Sequence, residues 1–62
     1  MCEVYAAYDG KLVGVFTSRT KAEQWIGKRA AEWNYGLCRQ WSFNGWDFYD
    51  VSHRVFKIKS KN

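Results

Sequence analysis

The dipeptide Asn44-Gly45, inside the stretch WSFNGWDFYD (41–50), constrains this chain more than any other feature. Asn-Gly readily adopts the two positive φ angles of a type I′ turn, which joins adjacent antiparallel strands through a two-residue loop. The register of the flanking residues then follows: Phe43 opposite Trp46, Trp41 opposite Phe48, and Arg39 opposite Asp50. Side chains alternate across a strand, so Trp41, Phe43, Trp46 and Phe48 share one face. Cys38, Gln40, Ser42, Asp47, Tyr49 and Val51 take the other. Four large rings backed by mostly polar groups read as a one-sided sheet with its rings turned to the core. Phe43 and Trp46, beside an exposed turn, are the rings expected to reach solvent.

The rest of the chain supplies partners for that hairpin. CEVYAAYDGKLVGVF (2–16) holds two β-forming runs around Asp9-Gly10. A two-residue turn there would set Tyr8 opposite Lys11, Ala6 opposite Val13 and Val4 opposite Val15. Tyr5, Ala7, Leu12 and Phe16 would share the other face, with Gly14 opposite Tyr5 leaving room for its ring. Both faces are partly apolar, so periodicity does not choose between them. A helix is expected near residues 18–34, capped by Thr17 or Ser18, with Thr20 and Glu23 at capping-box spacing. Ala22, Ile26, Ala30 and Trp33 form its apolar stripe, and Asn34 and Gly36 its stop. Gly27 falls on its outer side. In the C-terminal run, Arg54, Phe56 and Ile58 alternate with Val55, Lys57 and Lys59, which suits a short edge strand guarded by lysines. The expected architecture is a single α+β domain over 1–62, of ββαββ(β) order, with 60–62 frayed.

Size adds an independent constraint. A chain of 62 residues with twelve aromatic side chains cannot bury all of them, since each ring carries about 150–250 Å². Some rings must therefore lie at a surface or at a subunit interface. The net charge of +4 is uneven: −1 over residues 1–18, +3 over 19–40 and +2 over 41–62. That balance suits contact with an acidic partner. Cys2 and Cys38 are too few for a disulfide framework and read as reduced thiols of a cytoplasmic protein, a single bridge being the alternative. No apolar run reaches the length of a membrane span.

Catalytic patterns are missing. His53 is the sole histidine and has no ligand-spaced partners, and the cysteines form no CxxC. Asp47 and Asp50, three apart on a strand, point to opposite faces and do not suit shared acid–base work. No phosphate-binding or dinucleotide glycine pattern occurs. The chain reads as a non-enzyme with no catalytic residues, metal or cofactor. The candidate contact residues are Trp25 and Arg29, at i and i+4 on the helix, with Lys21 and Lys28 beside them, and Phe43 and Trp46 at the second turn. Trp25, Arg29 and Trp33 fall at i, i+4 and i+8, so a guanidinium lies between two indoles.

VYAAYDGKLVGVFTSRTKAEQWI (4–26) resembles a loose set of small phage and bacterial proteins built as hairpin, "GVF"-type strand, Ser/Thr cap and helix carrying "AE". It also resembles, in its "YA" strand, glycine turn and G-[IV]-[YF] strand before a capped helix, the hybrid-binding domain of ribonuclease H and the related viroplasmin N-terminal domain. The first resemblance implies a phage origin; with it, the small rigid fold, the exposed rings and the basic flank read as a non-catalytic protein that contacts a bacterial host or defence protein in the host cytoplasm, as monomer or small homo-oligomer. The second implies binding of an RNA–DNA hybrid, and the alternative reading is binding of RNA, DNA or their hybrid, with Lys21, Lys28, Arg29 and the C-terminal lysines on phosphates and Trp25 stacking a base. A third reading is an oligomer that binds a small nucleotide, arginines meeting its phosphates and rings stacking its base.

Overall fold

A computed structural model describes residues 1–33, 38–51 and 53–60. It contains β1 (Cys2–Ala6), β2 (Lys11–Phe16), α1 (Arg19–Glu32), β3 (Arg39–Phe43), β4 (Trp46–Val51) and β5 (Arg54–Ser60). The strands form one antiparallel sheet in the order β2-β1-β5-β4-β3, and α1 packs on one face of it. This is the expected small α+β domain of ββαβββ order. No described helix is long and apolar enough to cross a membrane.

Helix α1 forms where its local signals place it. Ser18, in extended conformation, caps it by accepting from the Lys21 amide at 3.3 Å. Glu23, the capping-box candidate, is engaged instead by Arg19 and by the Tyr49 hydroxyl. Ala22, Ile26 and Ala30 are buried, and Trp33 is the half-buried C-cap, stacked on Phe56 with ring centroids 6.4 Å apart. The expected stop at Asn34 and Gly36 lies outside the described residues.

The second hairpin has the register that Asn-Gly dictates. Phe43 pairs with Trp46, Trp41 with Phe48 and Arg39 with Asp50, with φ of 52° at Asn44 and 78° at Gly45. The assignment of its faces is reversed. The helix covers the face that carries Tyr49 and Val51, both buried, while the face of the four rings has no helix over it. The reason is volume. The inward stripe of α1 is two alanines and one isoleucine, so the helix sits close to the sheet. Val4, Ala6, Val51 and Ile58 fit beneath it together with Tyr49 and Phe56. Four rings of about 150–250 Å² each do not.

The first hairpin departs from the tight-turn expectation. Ala6 pairs with Lys11 and Tyr5 with Leu12, so residues 7–10 form the loop. Gly10 alone takes a positive φ in that loop, and its amide bonds the Ala6 carbonyl at 2.7 Å. Asp9 accepts the Lys11 amide at 2.8 Å, a side-chain turn that competes with the two-residue geometry. A bulge then shifts the register between Val4 and Tyr5, so that Val4 faces Gly14 and Cys2 faces Phe16. Such a slip moves side chains to the opposite face. Phe16 therefore joins Cys2 and Val4 on the helix side, against Trp25 at 5.7 Å. Gly14 makes room for Phe16 rather than Tyr5: a Cβ there would lie 2.8 Å from the Phe16 ring.

Strand β5 is central rather than at the edge. It pairs with β1 on one side and β4 on the other, and Ser60, expected to fray, pairs with Cys2. Its alternation places Phe56 and Ile58 in the core and Lys57 and Lys59 on the uncovered face. That alternation is what a central strand of a sheet covered on one side requires. Residues 61–62 lie outside the described residues.

Candidate functional site

Inter-strand pairing carries one row of residues across the whole sheet: Leu12, Tyr5, Lys57, Phe48 and Trp41. On the uncovered face, Trp41 and Phe48 stack with planes 10° apart and centroids 5.5 Å apart. Tyr5 meets Trp46 edge-on at 6.3 Å. Lys57 stands between these groups, its ammonium 4.8 Å from the Trp46 ring centroid and 5.7 Å from that of Tyr5. Lys59 approaches Trp46 from the next position at 5.6 Å. An ammonium at this range is attracted to the negative face of a ring. The Tyr5 hydroxyl donates to buried Glu3, which lies opposite Lys59. Trp41 and Phe43 complete the surface at 44% and 65% exposure. The result is a platform of planar rings with two cations set into its middle.

The helix side is arranged differently. Trp25 packs edge-on against Phe56 at 5.6 Å and belongs to the margin of the core. Arg29 lies over Trp25 at 5.1 Å and pairs with Glu32 at 3.0 Å. Trp33 is covered by Arg54, at 4.3 Å, so Arg29 stacks on one indole and each tryptophan has its own guanidinium. These groups, with Tyr8 and Lys11, line an open groove of about 460 Å³. Lys21 and Lys28 are exposed on the helix.

At the N-terminal end of α1 a polar cluster ties the helix to β3 and β4. Arg19 pairs with Asp47 and with Glu23, Ser42 donates to Asp47 at 2.6 Å, and Tyr49 donates to Glu23 at 2.8 Å. The Ser42 hydroxyl, and then Arg19, hold the Asp47 carboxyl below its ordinary range. Burial, and then the bond to Glu23, push the Tyr49 phenol up. Burial opposes the charge on Arg19, yet its bonds to Asp47, Glu23 and Tyr49 hold its pKa above the usual value. The donors and acceptors of this cluster satisfy one another, so it acts as a latch for the helix. Cys2 and Cys38 are free thiols, and burial raises the pKa of Cys38. Among the described residues no group of three His, Cys, Asp or Glu side chains is placed to hold a metal ion.

The six sequence-predicted contact residues therefore separate. Phe43 and Trp46 adjoin on the uncovered sheet face, while Trp25 and Arg29 belong to the helix side. Tyr5, Trp41 and Phe48 share that face and were not among the expected contact residues, while Lys57 and Lys59, expected to guard a strand edge, stand in its middle. Their signal was present in the alternation of Lys57 and Lys59 with Phe56 and Ile58, which puts cations on the same face as the rings once β5 is central.

Searches of protein families, curated proteins and solved structures returned no match to this chain.

Proposed function

We propose that this chain is a non-catalytic binding protein whose working surface is the uncovered face of the sheet, and that its ligand is single-stranded nucleic acid. The observation that carries this reading is the position of Lys57 and Lys59. They stand among Tyr5, Trp46 and Phe48 in the middle of the face, on the central strand. The centre of a protein–protein contact is depleted in lysine, because desolvating an ammonium costs more than a neutral surface returns. A nucleic-acid strand suits the same pattern: bases stack on exposed rings and phosphates meet the ammonium groups. Trp41 and Phe43 are the open stacking rings, and Arg39, exposed on β3, extends the charge.

The test is fluorescence anisotropy of labelled single-stranded DNA and RNA, a hybrid and a duplex, titrated across salt concentrations. With Lys57, Lys59 and Arg39 on phosphates, log K should fall against log salt with a slope of about −2 for single strands. Trp41→Ala should lose about 1–3 kcal/mol of binding. Absence of binding at low salt, or affinity insensitive to salt, overturns the reading. A protein partner, as for a phage-encoded chain acting on a bacterial host protein, is the second reading. It is favoured by the 65% exposure of Phe43 beside the turn, where an aromatic anchor reaches a partner's pocket.

A further inference from the structure

The two edges of the sheet are built differently. Edge strand β2 is interrupted by the bulge opposite Val4/Tyr5, a device that discourages a further strand from pairing. Edge strand β3 has no bulge. It pairs with β4 in five consecutive positions without a register shift, all five of its residues are exposed, and its one charge is Arg39 at the end. We propose that β3 is a self-association edge, pairing antiparallel with β3 of a second copy about a two-fold axis at Trp41.

The register follows from the turn. In a type I′ turn the first residue's carbonyl bonds the amide of the fourth, so the main chain of Phe43 points to β4. Alternation turns Trp41 and Arg39 the same way and leaves the amides and carbonyls of Gln40 and Ser42 facing outward. Full overlap of two such strands makes Gln40 of each copy a hydrogen-bonded pair with Ser42 of the other. Trp41 then meets its own copy across the axis, and each Arg39 lies opposite a Phe43. That arrangement is self-complementary: like charges are kept apart, and each guanidinium meets a ring. Both helices stay on one side, so the two aromatic faces join into one surface of ten strands. Pairing gives each outward amide and carbonyl of Gln40 and Ser42 a partner and leaves the faces of the rings open. The proposal rests on the strand edge and does not depend on the ligand argued above.

Sedimentation equilibrium without nucleic acid, from micromolar to millimolar protein, should show the 7.3 kDa monomer passing to twice that mass. Gln40→Pro removes one outward amide per copy, leaves the bonds to β4 intact, and should weaken association by about tenfold or more. Cross-linking checks the register even if that variant folds poorly. In a Cys38→Ser background, Trp41→Cys places two thiols at a non-hydrogen-bonded pair, about 4.5 Å between Cα atoms and within disulfide reach. It should form a covalent dimer on mild oxidation, whereas Phe43→Cys should not. A monomer at every concentration, or equal cross-linking of the two variants, overturns the proposal.

Discussion

Replacing Ile26 by alanine tests which face of the sheet is the core. Ile26 is fully buried and is the one large side chain in the inward stripe of α1, flanked by Ala22 and Ala30. Neither neighbour can reach into the space it leaves, so the cavity stays largely open, and the cost belongs within the range of about 2–5 kcal/mol for such truncations. At about 0.05–0.15 kcal/mol per residue, the 62 residues have a total stability of about 3–9 kcal/mol. Ile26→Ala therefore removes a large share of it. With about 4–8 °C in Tm per kcal/mol for a small domain, the midpoint should fall by at least about 8 °C. Phe43→Ala, on the uncovered face and 65% exposed, should cost less than about 1 kcal/mol. Urea unfolding followed by far-UV circular dichroism measures both, with Ile26→Val as an intermediate control at about 0.5–1.5 kcal/mol. If Ile26→Ala costs under 1 kcal/mol while Phe43→Ala costs more than 2, the helix does not cover the face described above.

Three further outcomes follow from the same geometry. Gly45→Val should destabilise clearly, because Gly45 holds φ at 78° in the turn, a region that excludes β-branched residues; unchanged thermal stability would refute the type I′ turn. Gly27→Ala should stabilise by about 0.4–1 kcal/mol, since it lies on the exposed side of α1 and an added Cβ meets nothing within 4 Å; a lowered Tm would refute that placement. Asp47 has a depressed pKa in the folded state, so its stabilisation is present above the ordinary carboxylate value and is lost as pH falls through the lower folded value. Stability of the wild type should thus drop more between about pH 5 and pH 2 than that of Asp47→Asn, and parallel pH curves would show that Asp47 does not contribute through its charge.

Local chemistry made much of this fold legible. Asn44-Gly45 determined a register that holds through five residue pairs, and the stripe of Ala22, Ile26 and Ala30 marked the buried side of the helix. What could not be read was which face of β4 the helix would cover. Trp46-Asp47-Phe48-Tyr49-Asp50-Val51 carries apolar groups on both faces, and ring size alone favours the wrong one. The volume beneath α1 decides that question, and it involves strands far apart in sequence. The bulge after Leu12 has no glycine or proline marker at the displaced Val13, and it moved Phe16 to the helix side. The central place of β5 is a property of long-range pairing. Lysines at alternate positions read equally as guards of an edge or as cations on an open face, and here they are the second. The candidate site was accordingly half visible: Phe43 and Trp46 were identified, while Tyr5 of β1 was not, and the lysines of β5 were expected at an edge rather than around Trp46.

The four tryptophans divide evenly between the two sides of the sheet, Trp25 and Trp33 beside Phe56 and Trp41 and Trp46 on the uncovered face. Their indole N–H signals in a ¹H–¹⁵N correlation spectrum therefore report directly on which side of the sheet a ligand meets. Adding a single-stranded oligonucleotide at low salt should shift the indole signals of Trp41 and Trp46 and leave those of Trp25 and Trp33 in place. Movement confined to Trp25 and Trp33, or no movement of any of the four, would contradict the assignment of the uncovered sheet face as the binding surface.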